Sequence, residues 1–335
     1  MTILLFDGFE TYSVGTYTAL GLGMTGSPWS AAGSSSNIGT GLITGSTKCW
    51  SNSGSNPSIT TVNFGAQNSL GGGFRCQLSS LSSNYAMFSF LDSASATQVT
   101  LRVNTSGAIE AHRGSTLLGT SASAVVTINT NFYLTYELVI NSSTGSVKVW
   151  INGTVVLNLT SQNTKNTANA GVNYLTILGN FQAMFVDDLY ITDGTQLGEW
   201  IMSTLYPTAD SSLQLTKSTG ATNFSCVDDL HLTADYVSGS ASGLKDIYDL
   251  ADLGGTVSAV QAVRVCADAQ KTDTTTRTVK AGVKSSATES YTADFTLTQN
   301  AFTGFMTTYL TNPNGSIAWT PSAVNALQVE LMTVS

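Results

Sequence analysis

Apolar and polar residues alternate in many short runs, a pattern with a period of two that predicts β-strands along most of the chain. The clearest case is the stretch from Ser142 to Gly194. Two alternating apolar runs there flank Asn152-Gly153, a dipeptide that fits a tight type I′ hairpin turn. The pattern therefore predicts an antiparallel hairpin and, with it, an antiparallel β architecture.

The hairpin has two different predicted faces. A two-residue turn pairs Ile151 with Thr154, Trp150 with Val155, and Val149 with Val156. The face better suited to a core holds Val147, Val149, Ile151 and Val156, and the other holds Lys148, Trp150, Val155 and Leu157. This second face is apolar enough to need partial cover, from loops or from a partner. Trp150 is therefore a candidate platform for stacking a sugar, and a tryptophan covered by its own loops is the alternative.

Residues 1–195 read as short strands separated by turn residues, at the spacing of a β-sandwich or jelly roll. Within them, the region from Gly21 to Gly73 is rich in Gly, Ser and Asn and predicts long connecting loops. Trp29 and Trp50 lie in that region and are further candidate ligand contacts. The triple glycine at its end also reads as a loop.

A boundary is predicted in the segment Asp193–Asp210, where glycines interrupt the alternation before a new apolar series starts. We expect a first domain at 1–197 and a second, smaller β-sandwich-like domain at 198–335. Helical signals are scarce in the second domain. A short helix is predicted over Gly243–Leu253, and one further turn begins after Thr320-Pro321.

Composition narrows the class of protein. The chain has 335 residues, enough for two β-sandwich domains, and only 10% of them are charged against about 25% in a typical soluble protein. No uninterrupted apolar run approaches the roughly 18 residues of a spanning helix, so we expect no membrane insertion. Net charge is −8 without any basic cluster, and nucleic-acid binding is therefore not expected.

The N-terminus and the cysteines predict synthesis in a reducing compartment. The first residues show neither the basic region nor the apolar stretch of a signal peptide. The cysteines are widely spaced, without a CxxC pair, which favours buried free thiols; they are Cys49, Cys76, Cys226 and Cys266.

Carboxylates are the recurrent polar feature. Val186-Asp187-Asp188-Leu189 is echoed by Val227-Asp228-Asp229-Leu230. The alternation predicts that Asp187 points the same way as the core residues around it, and a buried carboxylate must be hydrogen-bonded, paired or metal-bound. Backbone or arginine partners are the favoured interpretation; Asp187 and Asp188 are candidate calcium ligands as the second alternative, and catalysis is the third. No other cofactor is expected.

Catalytic motifs are otherwise scarce. The two histidines, His112 and His231, leave little room for a nucleophilic triad, and each reads as a surface or strand residue. A glycoside hydrolase needs two carboxylates about 5–10 Å apart in a cleft. Asp7 and Glu10 are the nearest approximation, and they do not form a convincing pair. We therefore predict a protein that is not an enzyme.

Two resemblances cover the chain. The run TGSVKVWINGTVVL followed by FVDDLYITDG, with the opening LLFDGFETY, resembles concanavalin A-like, laminin G-type jelly rolls. The segments WIMSTLYPTADSS, FSCVDDL, SAVQAVRVCADAQK and PNGSIAWTPSAVNALQVELMTVS resemble a β-rich module attached to such jelly rolls in virion proteins of tailed phages. The chain departs from that module at Cys226, where a larger residue is more common, and at Val329-Glu330, where a glycine is usual.

These resemblances imply an all-β structural component of a tailed-phage virion: a capsid decoration, head fibre, tail or baseplate protein made in the cytoplasm of the host bacterium. Its implied partners are other virion proteins and sister subunits in a homo-oligomer, for which a trimer is plausible, with weak contact to host glycans. The alternatives are a lectin-like carbohydrate-binding adhesin and a polysaccharide depolymerase using Asp187 or Glu10.

Overall fold

The computed structural model describes residues 2–17, 24–33, 36–41, 43, 47–52, 58–81, 84–169, 171–178, 184–229 and 234–335. The chain divides into two compact units. Unit 1 comprises Met1–Leu22 and Pro28–Met202, and unit 2 comprises Gly23–Ser27 and Ser203–Ser335. The division falls at Met202, within the boundary segment that the sequence predicts.

Unit 1 is built from strands. In chain order they are β1 Ile3–Asp7, β2 Gly15–Tyr17, β3 Trp29–Ala32, β4 Ser36–Thr40, β5 Lys48–Asn52, β6 Ser58–Thr61, β7 Ser69–Leu78, β8 Tyr85–Leu91, β9 Thr97–Val103, β10 Ile109–Arg113, β11 Thr116–Thr120, β12 Phe132–Val139, β13 Gly145–Ile151, β14 Thr154–Gln162, β15 Tyr174–Leu178 and β16 Met184–Thr192. The region predicted to be loops before Gly73 thus contains several short strands.

Among the described residues, these strands form two antiparallel sheets. The nine-stranded sheet has the order β14-β13-β12-β7-β16-β5-β4-β2, with β1 also pairing to β16, and the seven-stranded sheet has the order β11-β10-β9-β8-β15-β6-β3. Aromatic rings from the two sheets meet between them: Phe74 and Phe88 lie with ring centroids 3.9 Å apart, and Phe90 and Tyr136 with centroids 4.9 Å apart. Unit 1 is therefore a β-sandwich, and the all-β jelly-roll prediction is confirmed.

The hairpin at Asn152-Gly153 forms as predicted near its turn. Ile151 pairs with Thr154 and Trp150 with Val155, and both turn residues have positive φ. A bulge then shifts the register, so that Val149 lies opposite Leu157. The predicted pairing with Val156 is wrong, because the bulge inserts one residue and turns Leu157 towards the core.

The triple glycine, which was predicted to be a loop, lies in a strand. Gly71, Gly72 and Gly73 lie inside β7, in the middle of the nine-stranded sheet. A Cβ on Gly72 would lie 2.5 Å from Cζ of the buried Tyr136. Glycine is needed in this strand because aromatic rings lie directly over it. The ring of Tyr136 lies over Gly72 on one surface, and the rings of Tyr133 and Tyr190 lie over Gly73 on the other.

Unit 2 has shorter elements. They are β17 Pro207–Ser212, β18 Thr216–Lys217, a 3₁₀ turn at Phe224–Cys226, β19 Val237–Ser238, β20 Lys245–Leu250, β21 Val263–Ala269, β22 Thr278–Ser285, β23 Thr288–Tyr291, β24 Phe295–Thr296, β25 Thr303–Tyr309, the helix α1 Pro321–Asn325 and β26 Leu327–Thr333. Among the described residues, the main sheet has the order β17-β20-β26-β22-β23, with β24 beside β22, and β21 pairs with β25 and β18 with β19.

The core of unit 2 is a cluster of buried side chains that includes Val283, Phe305, Trp319 and Leu327. The helix predicted after Thr320 is confirmed, and the Thr320 hydroxyl accepts a hydrogen bond from the N–H of Ala323. The helix predicted over 243–253 is wrong, because β20 occupies that segment between β17 and β26. No helix in the described part of the chain is long and apolar enough to cross a membrane.

Candidate functional site

A polar groove lies on the outward face of the nine-stranded sheet, across β7, β12, β13 and β14. Its volume is about 270 Å³, near the small end of the roughly 300–1,000 Å³ of typical ligand sites. Hydroxyl, amide and charged side chains dominate the lining, which consists of Ser69, Glu137, Val139, Ser146, Lys148, Asn158, Thr160, Gly194 and Thr195. We call this site the polar groove.

The strand register explains how these side chains come together. Glu137 on β12 pairs with Lys148 on β13, and Lys148 pairs with Asn158 on β14. Residues directly opposite each other in antiparallel strands project from the same face about 4.5–5.5 Å apart. An acid, a base and an amide therefore form one row across three strands, with the hydroxyls of the next row beside them.

The charged side chains of the groove have different neighbours. The ammonium group of Lys148 lies 4.7 Å from the ring centroid of Trp150, a cation–π contact. On the other strand, Oε1 of Glu137 accepts a hydrogen bond from the N–H of Gln196 at 3.4 Å. Both charged side chains line the groove and are partly exposed.

One wall of the groove is the segment 193–202, which we call the strap. Trp200 of the strap packs edge-on against Phe6 and Tyr190. The Tyr190 hydroxyl accepts a hydrogen bond from the N–H of Leu197 at 2.7 Å and donates one to the carbonyl of Gly198 at 2.9 Å. These contacts hold the strap against the outward face of the sheet.

Gly71 allows the strap to approach β7 closely. A Cβ at this position would lie 2.5 Å from the nitrogen of Gln196 and from the carbonyl oxygen of Gly194. Because side-chain atoms cannot come so close, a glycine here is needed for the observed wall of the groove.

Trp150 lies in the row next to the groove and is mostly buried, with 9% of its surface exposed. It pairs with Thr135 on one side and with the exposed Val155 on the other. The Lys148 ammonium group lies over its ring, and a stacking sugar would therefore have to displace this group.

Trp29 and Trp50, the other aromatic candidates, do not reach the groove. Trp29 is buried, stacks on Phe9 with centroids 5.6 Å apart, and donates from its ring nitrogen to Oδ2 of Asp7 at 2.7 Å. Trp50 is fully buried and pairs with Val186 of the neighbouring strand in the nine-stranded sheet. The proposed ligand contacts at these two positions do not fit this structure, because neither ring faces the surface.

Asp187 and Asp188 lie at a bulge in β16 and have protein partners. Oδ1 of Asp187 accepts from the N–H of Asp188 at 2.7 Å. Oδ2 of Asp188 pairs with Arg75 at 3.1 Å, and its Oδ1 accepts from the N–H of Met202 at 2.7 Å. Burial raises the pKa of Asp188 to about 6.

These partners do not suit calcium. A guanidinium group beside Asp188 repels a cation, and calcium takes six to eight oxygen ligands. Within the described residues, no group of three or more His, Cys, Asp or Glu side chains could hold a metal ion. Asp188 instead connects the strap to the sheet. The echo at 227–229 follows the 3₁₀ turn and not a strand, and Leu230 and His231 lie outside the described residues.

Asp7 and Glu10 both have local structural partners. Asp7 is buried, and its Oδ2 also accepts from the Tyr12 hydroxyl at 2.6 Å. Glu10 accepts hydrogen bonds from the Thr47 hydroxyl and from the N–H of Lys48. These contacts fix the turn after β1.

Sequence reasoning did not identify Glu137, Asn158 or the hydroxyls of the groove. Outward residues of β12 and β14 could have been read from the alternation, since their inward neighbours are apolar. Their convergence with Lys148, however, depends on the pairing of β12 between β7 and β13, which local sequence does not specify.

No family model matches the chain, and no curated protein matches it in sequence. Similar solved structures include the alginate lyase Aly36B with an alginate tetrasaccharide, at 17% identity and a TM-score of 0.39, covering 58% of this chain and 97% of the lyase. A sialidase matches at 11% identity and a TM-score of 0.36, covering 48% of this chain.

A heptameric SAP-like pentraxin from Limulus polyphemus matches at 14% identity and a TM-score of 0.31, covering 39% of this chain and 66% of the pentraxin. The chain spans 17% of the length of the sialidase. At these low sequence identities, the similarity is one of β-sandwich fold alone.

The alginate lyases and sialidases among these neighbours are enzymes. That finding contradicts the prediction that the chain is not an enzyme, and we withdraw it. None of the three proteins is described as a phage protein, and the virion assignment stays a prediction.

Proposed function

We propose that unit 1 is a carbohydrate-binding β-sandwich and that the polar groove holds a saccharide. The observation that carries this proposal is the row of Glu137, Lys148 and Asn158, which offers an acid, a base and an amide on one outward face. A sugar presents hydroxyls that both donate and accept, and this row supplies partners of both kinds.

The surroundings of the row support the same ligand class. Hydroxyls from Ser69, Ser146, Thr160 and Thr195 border it, and the mostly buried ring of Trp150 lies beside it. Aromatic rings combined with a few placed polar groups are typical of small-molecule sites.

A glycan array with purified wild-type protein and three variants tests the proposal. We expect saturable binding to at least one saccharide. Glu137→Gln and Asn158→Ala should each weaken it by about ten- to hundredfold, because hydrogen bonds to charged or well-placed groups contribute about 1–3 kcal/mol. Asp252→Asn, at an exposed position in unit 2, is the matched control and should bind as wild type. Wild-type protein that binds no saccharide, or groove variants that bind normally, would contradict the proposal.

We also propose that this protein works on a phage particle, where a saccharide site would contact the host surface. The order of the two sequence resemblances supports the location. Binding and location are separate statements, since a carbohydrate-binding adhesin of a bacterium would have the same groove.

A further inference from the structure

Two glycines flank a short piece of the strap that borders the polar groove. Gly194 and Gly198 stand on either side of residues 195–197, which we call the flap. A Cβ added at either glycine would meet nothing within 4 Å, so close packing does not account for them. What glycine adds at both ends of the flap is freedom of the backbone dihedral angles. Because Thr195 lines the groove, a rotation at the two glycines would move one of its walls.

The flap rests directly on β7, where Gly71 leaves space for it. A Cβ at Gly71 would lie 2.5 Å from the nitrogen of Gln196, so the flap backbone occupies the volume of the missing side chain. The Tyr190 hydroxyl holds the flap in this position by accepting a hydrogen bond from the N–H of Leu197 at 2.7 Å. We call this arrangement the seated state.

The flap is held less firmly than the end of the strap. The nitrogen of Gln196 lies 3.4 Å from Oε1 of Glu137, beyond the roughly 2.7–3.2 Å of ordinary N–H···O hydrogen bonds. By contrast, the N–H of Met202 donates to the buried carboxylate of Asp188 at 2.7 Å, and Trp200 packs edge-on against two aromatic rings. The flap can therefore leave its seat while the end of the strap stays in place.

We infer that the flap is a movable wall of the polar groove, whose seating on Gly71 is coupled to the binding of a saccharide. A ligand that contacts Thr195 in the seated state favours that state, because a ligand shifts an equilibrium towards the conformation it binds better. Glu137 contributes to the coupling, since its two oxygens can accept from Gln196 and from a ligand hydroxyl at the same time. Tyr190 does not line the groove and is a positioning residue. The inference rests on the proposed function and adds a means of regulating that site.

Hydrogen–deuterium exchange with single-residue resolution tests the seating without any ligand. Tyr190→Phe removes the acceptor of the Leu197 N–H, and exchange at Leu197 should accelerate about two- to thirteenfold, the factor that corresponds to one neutral hydrogen bond. Exchange at Gln196 should accelerate with it, because the flap moves as one piece. Tyr174→Phe, in the seven-stranded sheet, is the matched control and should leave the flap unchanged. Acceleration at Leu197 alone, or none at all, would overturn the inference.

Wild-type protein gives a second measurement that needs no variant. If the flap opens separately from the end of the strap, Gln196 and Leu197 should exchange at least about tenfold faster than Met202, which corresponds to a difference of about 1.4 kcal/mol in opening free energy. Equal protection of the three amides would show that the strap opens only as a whole, and the inference would fail.

The coupling is tested with cellohexaose as a neutral probe and an alginate hexasaccharide as an acidic one. At a probe concentration about ten times the dissociation constant, exchange in the flap should slow about tenfold, because a ligand of the seated state protects it by a factor of 1 + [L]/Kd. Gly71→Ala fills the seat and should raise the dissociation constant by about tenfold or more, since only the seated fraction binds. Gly254→Ala, where an added Cβ meets nothing within 4 Å, is the matched control and should bind as wild type.

The outcomes separate this inference from the proposed function. If Glu137→Gln weakens binding of a probe while Gly71→Ala binds it as wild type, or if the bound probe leaves exchange in the flap unchanged, the inference is overturned and the polar groove stands. If neither probe binds, the coupling is overturned for both classes of saccharide, and the glycan array alone decides the proposed function.

Discussion

Glu330 is a buried carboxylate on the outward face of β26, the central strand of the main sheet in unit 2. Its side chain has no exposed surface, and its nearest cation, Nζ of Lys245, lies 3.9 Å from Oε1. Glu289 binds the same lysine at 2.6 Å and accepts from the Tyr291 hydroxyl at 2.9 Å. Glu289 thus takes the partners that Glu330 would need, and burial raises the pKa of Glu330.

Glu330→Gln should stabilise unit 2 at neutral and higher pH. A carboxyl whose pKa is raised in the folded state stabilises the fold below its unfolded pKa, and this contribution is lost as pH rises through the folded value. A neutral glutamine avoids that loss. We expect the free energy of unfolding to rise by about 1–2 kcal/mol at pH 8, which is the cost of a poorly satisfied buried group, and to change little at pH 4. Urea unfolding at the two pH values measures it.

Glu289 is the matched comparison, because its pKa is shifted in the opposite direction to that of Glu330. Its hydrogen bond to Lys245 is the first cause that lowers its pKa. A lowered pKa stabilises the fold above the unfolded value, and the contribution is lost as pH falls. Glu289→Gln should therefore destabilise unit 2 at pH 8. Equal effects of the two substitutions would show that the carboxylates do not differ as described.

Strand β7 shows how one element serves both surfaces of its sheet. Gly72 faces the ring of Tyr136 inside the sandwich, and Gly71 faces the strap outside it. The two glycines thus permit close packing in opposite directions at adjacent positions. The sequence presents the same residues as a turn-rich triplet, and only their neighbours in space explain their place in a strand.

Gly72→Ala should destabilise unit 1 by about 1–3 kcal/mol, the usual cost of an extra group in a filled core. The added methyl would overlap the Tyr136 hydroxyl and approach Cζ to 2.5 Å. Gly254→Ala is the control, because a Cβ added there would meet nothing within 4 Å. Thermal unfolding followed by near-ultraviolet circular dichroism distinguishes the two variants, and equal midpoints would contradict the packing argument.

The hairpin around Asn152 shows how far local sequence predicts an element. The turn and the first two pairs are correct because turn chemistry acts within four residues. The prediction fails at Val156, where the bulge places Leu157 against the core instead. The segment at 243–253 fails for a related reason: apolar spacing in a short run fits helix and strand alike, and the neighbouring strands β17 and β26 decide in favour of β20. The polar groove likewise depends on strand order, which no local pattern carries.

At the scale of the whole molecule, the chain is poor in charged residues and rich in residues with hydroxyl groups. The chain is 10% charged with a net charge of −8. The polar groove holds one cation, Lys148, and one carboxylate, Glu137, and is therefore not strongly basic. Long-range attraction therefore contributes little to binding at the polar groove, and short-range hydrogen bonds must supply the affinity.

The same composition bears on the proposed assembly in a virion. A surface with few charges loses little solvation when it is covered, so sister subunits can pack closely against it. The proposed virion role predicts that the purified protein sediments as a homo-oligomer, with a trimer as the specific expectation, and that immunogold antibodies label intact phage particles. Preimmune serum on the same particles is the control. A protein that stays monomeric at micromolar concentration and antibodies that label no particle would contradict the virion assignment, while saccharide binding by the polar groove would remain open to its own test.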